Sequence, residues 1–212
     1  MKDFKNLIVL GPLIYAIHHY EEHIIFNFRE WRLRYFLDNN PSSTEEVLVT
    51  LISLLLITIV IHLIKNNRGS AHIVLFYLMT TQVANAFFHI FFSFYHYDFS
   101  PGVITATLLY LPVNFFIIRS ALKEKFLKNR IELFILSLLG ITTFALFELI
   151  GPEIMRYSIL LSAIYYFWIN KMTKNTPLIP IQLGGKPQTK RTARIDSVIK
   201  YYTPLEPPVT VK

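Results

Sequence analysis

The 212-residue sequence contains no cysteine, which excludes disulfides, thiolate metal sites and cysteine nucleophiles. Charge is scarce as well. Asp, Glu, Lys and Arg make up 17% of the chain, against about a quarter in an ordinary soluble domain. No small-residue cleavage site follows the apolar run Asn6–Ile17, so a cleavable signal peptide is not expected. No internal repeat of about 20–50 residues is visible, which sets aside solenoid and propeller architectures.

What the chain has instead is apolar bulk: 53% hydrophobic and 15% aromatic residues, with a mean hydropathy of +0.41. Apolar stretches of ~18 or more residues read as membrane spans, because ~20 helical residues cross the hydrocarbon core. About six such spans are expected: Asn6–Phe28, Val47–Ile64, Ala71–Tyr95, Gly102–Leu122, Ile131–Ile150 and Glu153–Ile169. The fold class is therefore all-α, a polytopic membrane helix bundle over residues 1–170. Arg29–Glu46 begins with a mixture of Arg and aromatics that suits an interfacial segment. Thr44 is the expected N-cap of the second span, and Gly151-Pro152 separates the last two. Residues 171–212 turn polar and Pro-rich and read as a largely disordered tail, with a short helix near Ile195–Tyr201.

Lys and Arg set the orientation. Leaving the tail aside, six spans place nine of them on the side of both termini and four on the other. Both termini are expected in the cytoplasm, in a bacterial inner (plasma) membrane. This placement also accounts for the net charge of +7 without a nucleic-acid partner. Membrane lipids and a hydrophobic small molecule are the expected partners.

Ionisable groups inside a span cost roughly 2.5–3.5 kcal/mol each and persist where a partner or a water-filled cavity compensates. His18-His19-Tyr20-Glu21-Glu22-His23 is the densest such group. The topology set by Lys and Arg brings His18, Glu21, Glu22, Asn85, His89 and Glu148 to similar depth, with Thr105 nearby at the start of the fourth span. His18, Glu21 and Glu22 stand at i, i+3 and i+4 and share one helix face; His19, Glu22 and His23 share an adjacent one. Imidazole with carboxylate suits Zn, non-haem Fe or Mn. The expected ligands are His18, Glu22 and His89, with Glu21 and Glu22 as acid–base groups and Asn85, Glu148 and Thr105 in support. The string also contains His19-x-x-Glu22-His23, the residue order of inverzincins, without a third-ligand signature. His62 is expected at an interface, and His72, His96 and Asp98 in loops or at helix ends.

His18-x-x-Glu21-Glu22, followed by Asn85-x-x-x-His89 and Pro101-Gly102, resembles the HXXEE-motif family of small multi-spanning membrane proteins. The resemblance covers roughly Leu7–Trp168. It implies a site at His18, Glu21, Glu22, Asn85 and His89, and no particular reaction.

Three functions fit these residues. One is a membrane-embedded metal-dependent enzyme, a hydrolase or oxidoreductase acting on a lipid or other hydrophobic small molecule. The second is a transporter or a proton or metal relay. The third is a metal-free lipid-binding protein or an acid–base site. A divalent metal, Zn or Fe, is the cofactor expected for the first.

Overall fold

A computed structural model describes residues 3–37 and 42–173. Among these residues the chain forms seven helices and no strand. They are α1 (residues 4–25), α2 (Phe28–Tyr35), α3 (Thr44–Lys65), α4 (Arg68–Tyr95), α5 (Val103–Lys123), α6 (Arg130–Ile150) and α7 (Glu153–Thr173). The six long helices follow the six expected spans in order, and α2 falls where the interfacial segment was expected.

Four of them, α3 to α6, are long and apolar enough to cross a membrane. The count of about six is thereby narrowed on composition. Helix α1 is interrupted at Val9, where Pro12 has no N–H for the Ile8 carbonyl. In α7, serines, tyrosines, Asn170 and charged ends dilute the apolar content. The expected tail and its short helix lie outside the described residues from residue 174 onward.

Helix starts obey local chemistry. Ser43, rather than the expected Thr44, is the N-cap of α3. Its hydroxyl accepts from Glu46 N at 3.2 Å, while Glu46 accepts from Ser43 N at 2.9 Å, the reciprocal capping box. Asn67 caps α4 and Asn129 caps α6 through their side-chain oxygens.

Helix α4 is the centre of the bundle. Its most apolar stretch is 61% buried, against 11% for that of α6. Helices α3, α6 and α7 pack on α4, and α1 packs between α3 and α5. Large apolar side chains cover the outside, including Val49, Ile57, Leu138, Leu149, Leu160 and Phe167. On helices of this length such a surface suits lipid rather than water.

The interior also holds amides. Gln82 Nε2 donates to the Gly11 carbonyl at 2.8 Å, and Asn114 Nδ2 donates to Gln82 Oε1 at 2.8 Å and to the Tyr110 carbonyl at 2.9 Å. These bonds tie α1, α4 and α5 together. His62 and His72, expected at an interface or helix end, are instead buried. Both His72 nitrogens are engaged, by Tyr165 Oη at 2.6 Å and the Phe126 carbonyl at 2.8 Å. Arg68 beside it pairs with Glu132 at 2.6 Å. This polar cluster knits α4, α6 and α7 at the end where α4 begins.

Three helices widen into π turns: α1 at Tyr20–Ile25, α4 at Met79–Ala84 and α5 at Ala106–Tyr110. Those on α4 and α5 have local causes. Pro112 withholds an N–H from the α5 ladder. Thr80 and Thr81 bond back to the Phe76 and Tyr77 carbonyls at 2.9 and 2.8 Å, which bends a helix. Gly140 of α6 lies against the α4 bulge, where an added Cβ would sit 2.6 Å from Met79 Cβ and 3.1 Å from the backbone. Gly140→Ala is therefore expected to force α6 off α4 and destabilise the bundle by about 1–3 kcal/mol. Thermal unfolding in detergent measures this, and an unchanged midpoint would contradict the close α4–α6 contact.

Candidate metal centre

The widened end of α1 carries His18, His19, Glu21, Glu22 and His23. A π turn brings residues four apart closer to register above one another than an α turn does. Glu22 thus stands over His18, and His23 over His19. His18 and His89 are fully buried, and Glu22 is 7% exposed.

Glu22 is the meeting point. Its Oε1 lies 3.2 Å from His18 Nε2 and 2.8 Å from His89 Nε2. Ligands about 2.0–2.1 Å from a tetrahedral ion lie about 3.3 Å apart, so these spacings suit a shared cation. The three ligand atoms all fall within 4.8 Å of one another.

The far side of each imidazole is held. His18 Nδ1 is 2.8 Å from Thr105 Oγ1, whose own hydroxyl donates to the Gly102 carbonyl at 3.3 Å. Thr105 Oγ1 is then the acceptor and His18 Nδ1–H the donor, which leaves a lone pair on His18 Nε2. That lone pair faces the Glu22 carboxylate and the Asn85 amide, whose Nδ2 donates to it at 3.2 Å. His89 Nδ1 is 2.9 Å from Ser100 Oγ. His89 Nε2 is buried and, although close to Glu22, is not aligned with it for a hydrogen bond. Two imidazole nitrogens and a carboxylate oxygen converging on one point at coordination spacing fit a divalent cation. The outer partners orient both rings as metal-bound histidines are oriented.

Gly102 closes the site from above. Its φ is +95°, and a Cβ there would lie 2.7 Å from His18 Cε1, 2.8 Å from Glu22 Cγ and 3.1 Å from His89 Cε1. A glycine is required both for the backbone angle and for the close approach.

Glu21, expected beside Glu22 as an acid–base group, has a different place. Its two oxygens accept from Ile104 N at 3.1 Å and Thr105 N at 2.7 Å. It caps the start of α5, where carboxylate meets unpaired N–H groups and the positive end of the helix dipole. Glu148 lines the same cavity as Glu22 and is not among the three converging ligands. It pairs with Arg32 at 3.1 Å.

Glu22 also borders a cavity of about 120 Å³ between α1, α2, α3 and α6, shared with Asn85 and Glu148. His19 and His23 form part of its polar wall, and Val47, Leu51, Phe144 and Phe147 part of its apolar wall. Two residues of the site were not singled out from the sequence. Ser100 orients His89, and its position just before Pro101-Gly102 was the available signal. Tyr110 lies with its ring 4.3 Å from that of His18 and its hydroxyl buried without a hydrogen bond; nothing in the sequence distinguishes it from a packing tyrosine.

A profile of proteins of unknown function with an HXXEE motif matches residues 9–117, just over half of the chain. The chain belongs to the HXXEE family. The matched region holds all of the ligand set and ends well short of Trp168, to which the motifs alone had suggested it extends. No curated protein and no solved structure matches the chain. In this HXXEE protein the His and the second Glu of the motif converge, while the first Glu clamps α5. Gly102→Ala should separate these groups and destabilise the fold by about 1–3 kcal/mol through overpacking. Glu21→Ala should cost about 0.5–2 kcal/mol as a lost cap while leaving the ligand atoms in reach of one another. Thermal unfolding of the two variants with and without added Zn²⁺ checks this: Zn²⁺ should stabilise Glu21→Ala and not Gly102→Ala.

Proposed function

We propose that His18, Glu22 and His89 hold a divalent metal, Zn or Fe, and that the protein is a membrane-embedded metal-dependent enzyme acting on a lipid or other hydrophobic small molecule. The observation that carries this reading is the convergence of two oriented imidazoles on one buried carboxylate at the wall of a half-apolar cavity. A bound metal supplies Lewis acidity for hydrolysis if it is Zn, or a partner for dioxygen if it is Fe. The chain's own groups do the rest. Thr105 and Ser100 fix the rings, Asn85 holds the His18 edge, and Gly102 and Phe28 limit access of water. Val47, Leu51, Phe144 and Phe147 offer an apolar surface to a lipophilic substrate.

The polar side chains next to the site along the bundle favour an enzyme over a proton relay. Gln82 and Asn114 are amides locked in hydrogen bonds, and neither carries a titratable proton. The Lys and Arg distribution supports a plasma-membrane location with both termini cytoplasmic.

Protein purified in detergent is expected to contain tightly held divalent metal, measured by elemental analysis. His18→Ala and His89→Ala should each lower the content by about one ion per chain, because losing one of three ligands removes most of the affinity. Metal-free wild type after incubation with Zn²⁺ or Fe²⁺ would overturn the proposal. Metal flux into proteoliposomes that His18→Ala abolishes would replace the enzyme reading with transport.

A further inference from the structure

A second imidazole pair stands on the other side of Glu22. His19, Glu22 and His23 also bring ligand atoms within 4.8 Å of one another. They use the other carboxylate oxygen: His23 Nε2 faces Glu22 Oε2 at 3.7 Å, whereas His18 and His89 face Oε1. We propose that Glu22 bridges two divalent cations, one buried between His18 and His89 and one at the cavity wall between His19 and His23. This rests on the metal reading above and extends it from one ion to two.

Two observations set His19 and His23 apart from ordinary buried histidines. The first is that their nitrogens are uncommitted. His72 spends both nitrogens on Tyr165 and the Phe126 carbonyl, and His62 spends one on Ser70. Among the described residues no hydroxyl, amide or carbonyl is hydrogen-bonded to the His19 or His23 ring, and Glu22 is the one charged partner of His23. Imidazoles left this way at a cavity wall are available as ligands.

The second is that the rings are held in place by faces and edges rather than by hydrogen bonds. His19 stacks on Tyr15 at 6.4 Å and lies 4.4 Å from His23, and Phe28 meets His23 edge-on at 5.8 Å. These contacts fix ring positions and leave the nitrogens open. The π turn supplies the register, placing His23 over His19 as it places Glu22 over His18.

The two positions differ in access. His18 and His89 do not border the cavity, so the first ion would meet it through Glu22. His19, Glu22 and His23 all border it, so the second ion would lie nearer to water or substrate and extend the reactive surface of the first. A shared carboxylate suits metal pairs about 3.5–4 Å apart. Neither His19 nor His23 belongs to the His-x-x-Glu-Glu pattern, so the second ion is a property of this chain and not of the motif.

The test is metal stoichiometry in the detergent-purified full chain, reconstituted with Zn²⁺ for elemental analysis and with Mn²⁺ for electron paramagnetic resonance. Wild type should hold about two ions per chain, and His19→Ala and His23→Ala about one each. Glu22→Ala should hold none. The wild-type Mn²⁺ spectrum should show exchange coupling, which His19→Ala replaces with that of isolated Mn²⁺. One ion in wild type, kept in His19→Ala and lost in His18→Ala, would overturn the bridged pair and leave the single-metal reading standing. Two ions in wild type, with neither lost from His19→Ala or His23→Ala, would overturn the assigned position. No ion at all would overturn both readings. His19 and His23 line a cavity rather than the apolar core, and if either variant fails to fold, the wild-type stoichiometry and spin coupling decide alone.

Discussion

A carboxylate buried among helices needs a positive partner, and Glu22 has no Lys or Arg ion pair among the described residues. Its neighbours are the imidazoles of His18, His89 and His23. Thr105, with its hydroxyl committed to the Gly102 carbonyl, accepts from His18 Nδ1 on the far side of the ring. The near side then presents a nitrogen that accepts from Asn85 Nδ2 and lies beside the Glu22 carboxylate, with the His89 nitrogen on the other side of the same oxygen. A cation at their common point would neutralise the carboxylate and take both nitrogens as ligands.

That constraint explains why regular helix is abandoned where it is. The three π turns occur at the level of the site: within the cluster on α1, just before Asn85 on α4, and just after Thr105 on α5. Each re-aims the side chains beyond it by about one residue of phase. The causes on α5 and α4, Pro112, the back-bonding of Thr80 and Thr81, and the Gly140 contact, are spread along the sequence. π-Bulges gather at functional sites for this reason: they are a means of turning a helix face toward a point that straight helices would miss.

Much of this was legible in the letters. Hydropathy and the Gly-Pro and Pro-Gly breakers placed the long helices to within a few residues, because bilayer thickness sets helix length independently of sequence detail. The alternating direction of successive helices brought His18, Glu22, Asn85 and His89 to the same end of the bundle. The capping box was also present as Ser43-x-x-Glu46, although the eye falls on Thr44 because it adjoins the acidic pair. What stayed hidden depends on how α5 crosses α1. The capping role of Glu21, the close approach of Gly102, the Ser100 contact and the orphan Tyr110 hydroxyl all follow from that crossing, and periodicity carries no information about it. His62 and His72 misled for a related reason. Proximity to a helix end in sequence implies water only when nothing covers that end, and here Phe4 of α1 and Phe126 of the α5–α6 turn cover His62 on α3, while α7 and the same turn cover His72 on α4.

The two adjacent glutamates of the motif divide the work of building the site. Glu22 faces the imidazoles. Glu21, one residue earlier and so about a quarter turn away, points to the N-terminus of α5 and binds Ile104 N and Thr105 N. By holding that end of α5, Glu21 delivers Thr105 to His18 and Gly102 to the top of the cluster. A carboxylate on α1, bonded to the start of α5, thus positions the hydroxyl that faces a histidine of its own helix. A motif with a single Glu could ligate or clamp, but not both. Paired acids one turn beyond a histidine are the shortest sequence that fixes a ligand set and the helix that orients it from the same turn of backbone.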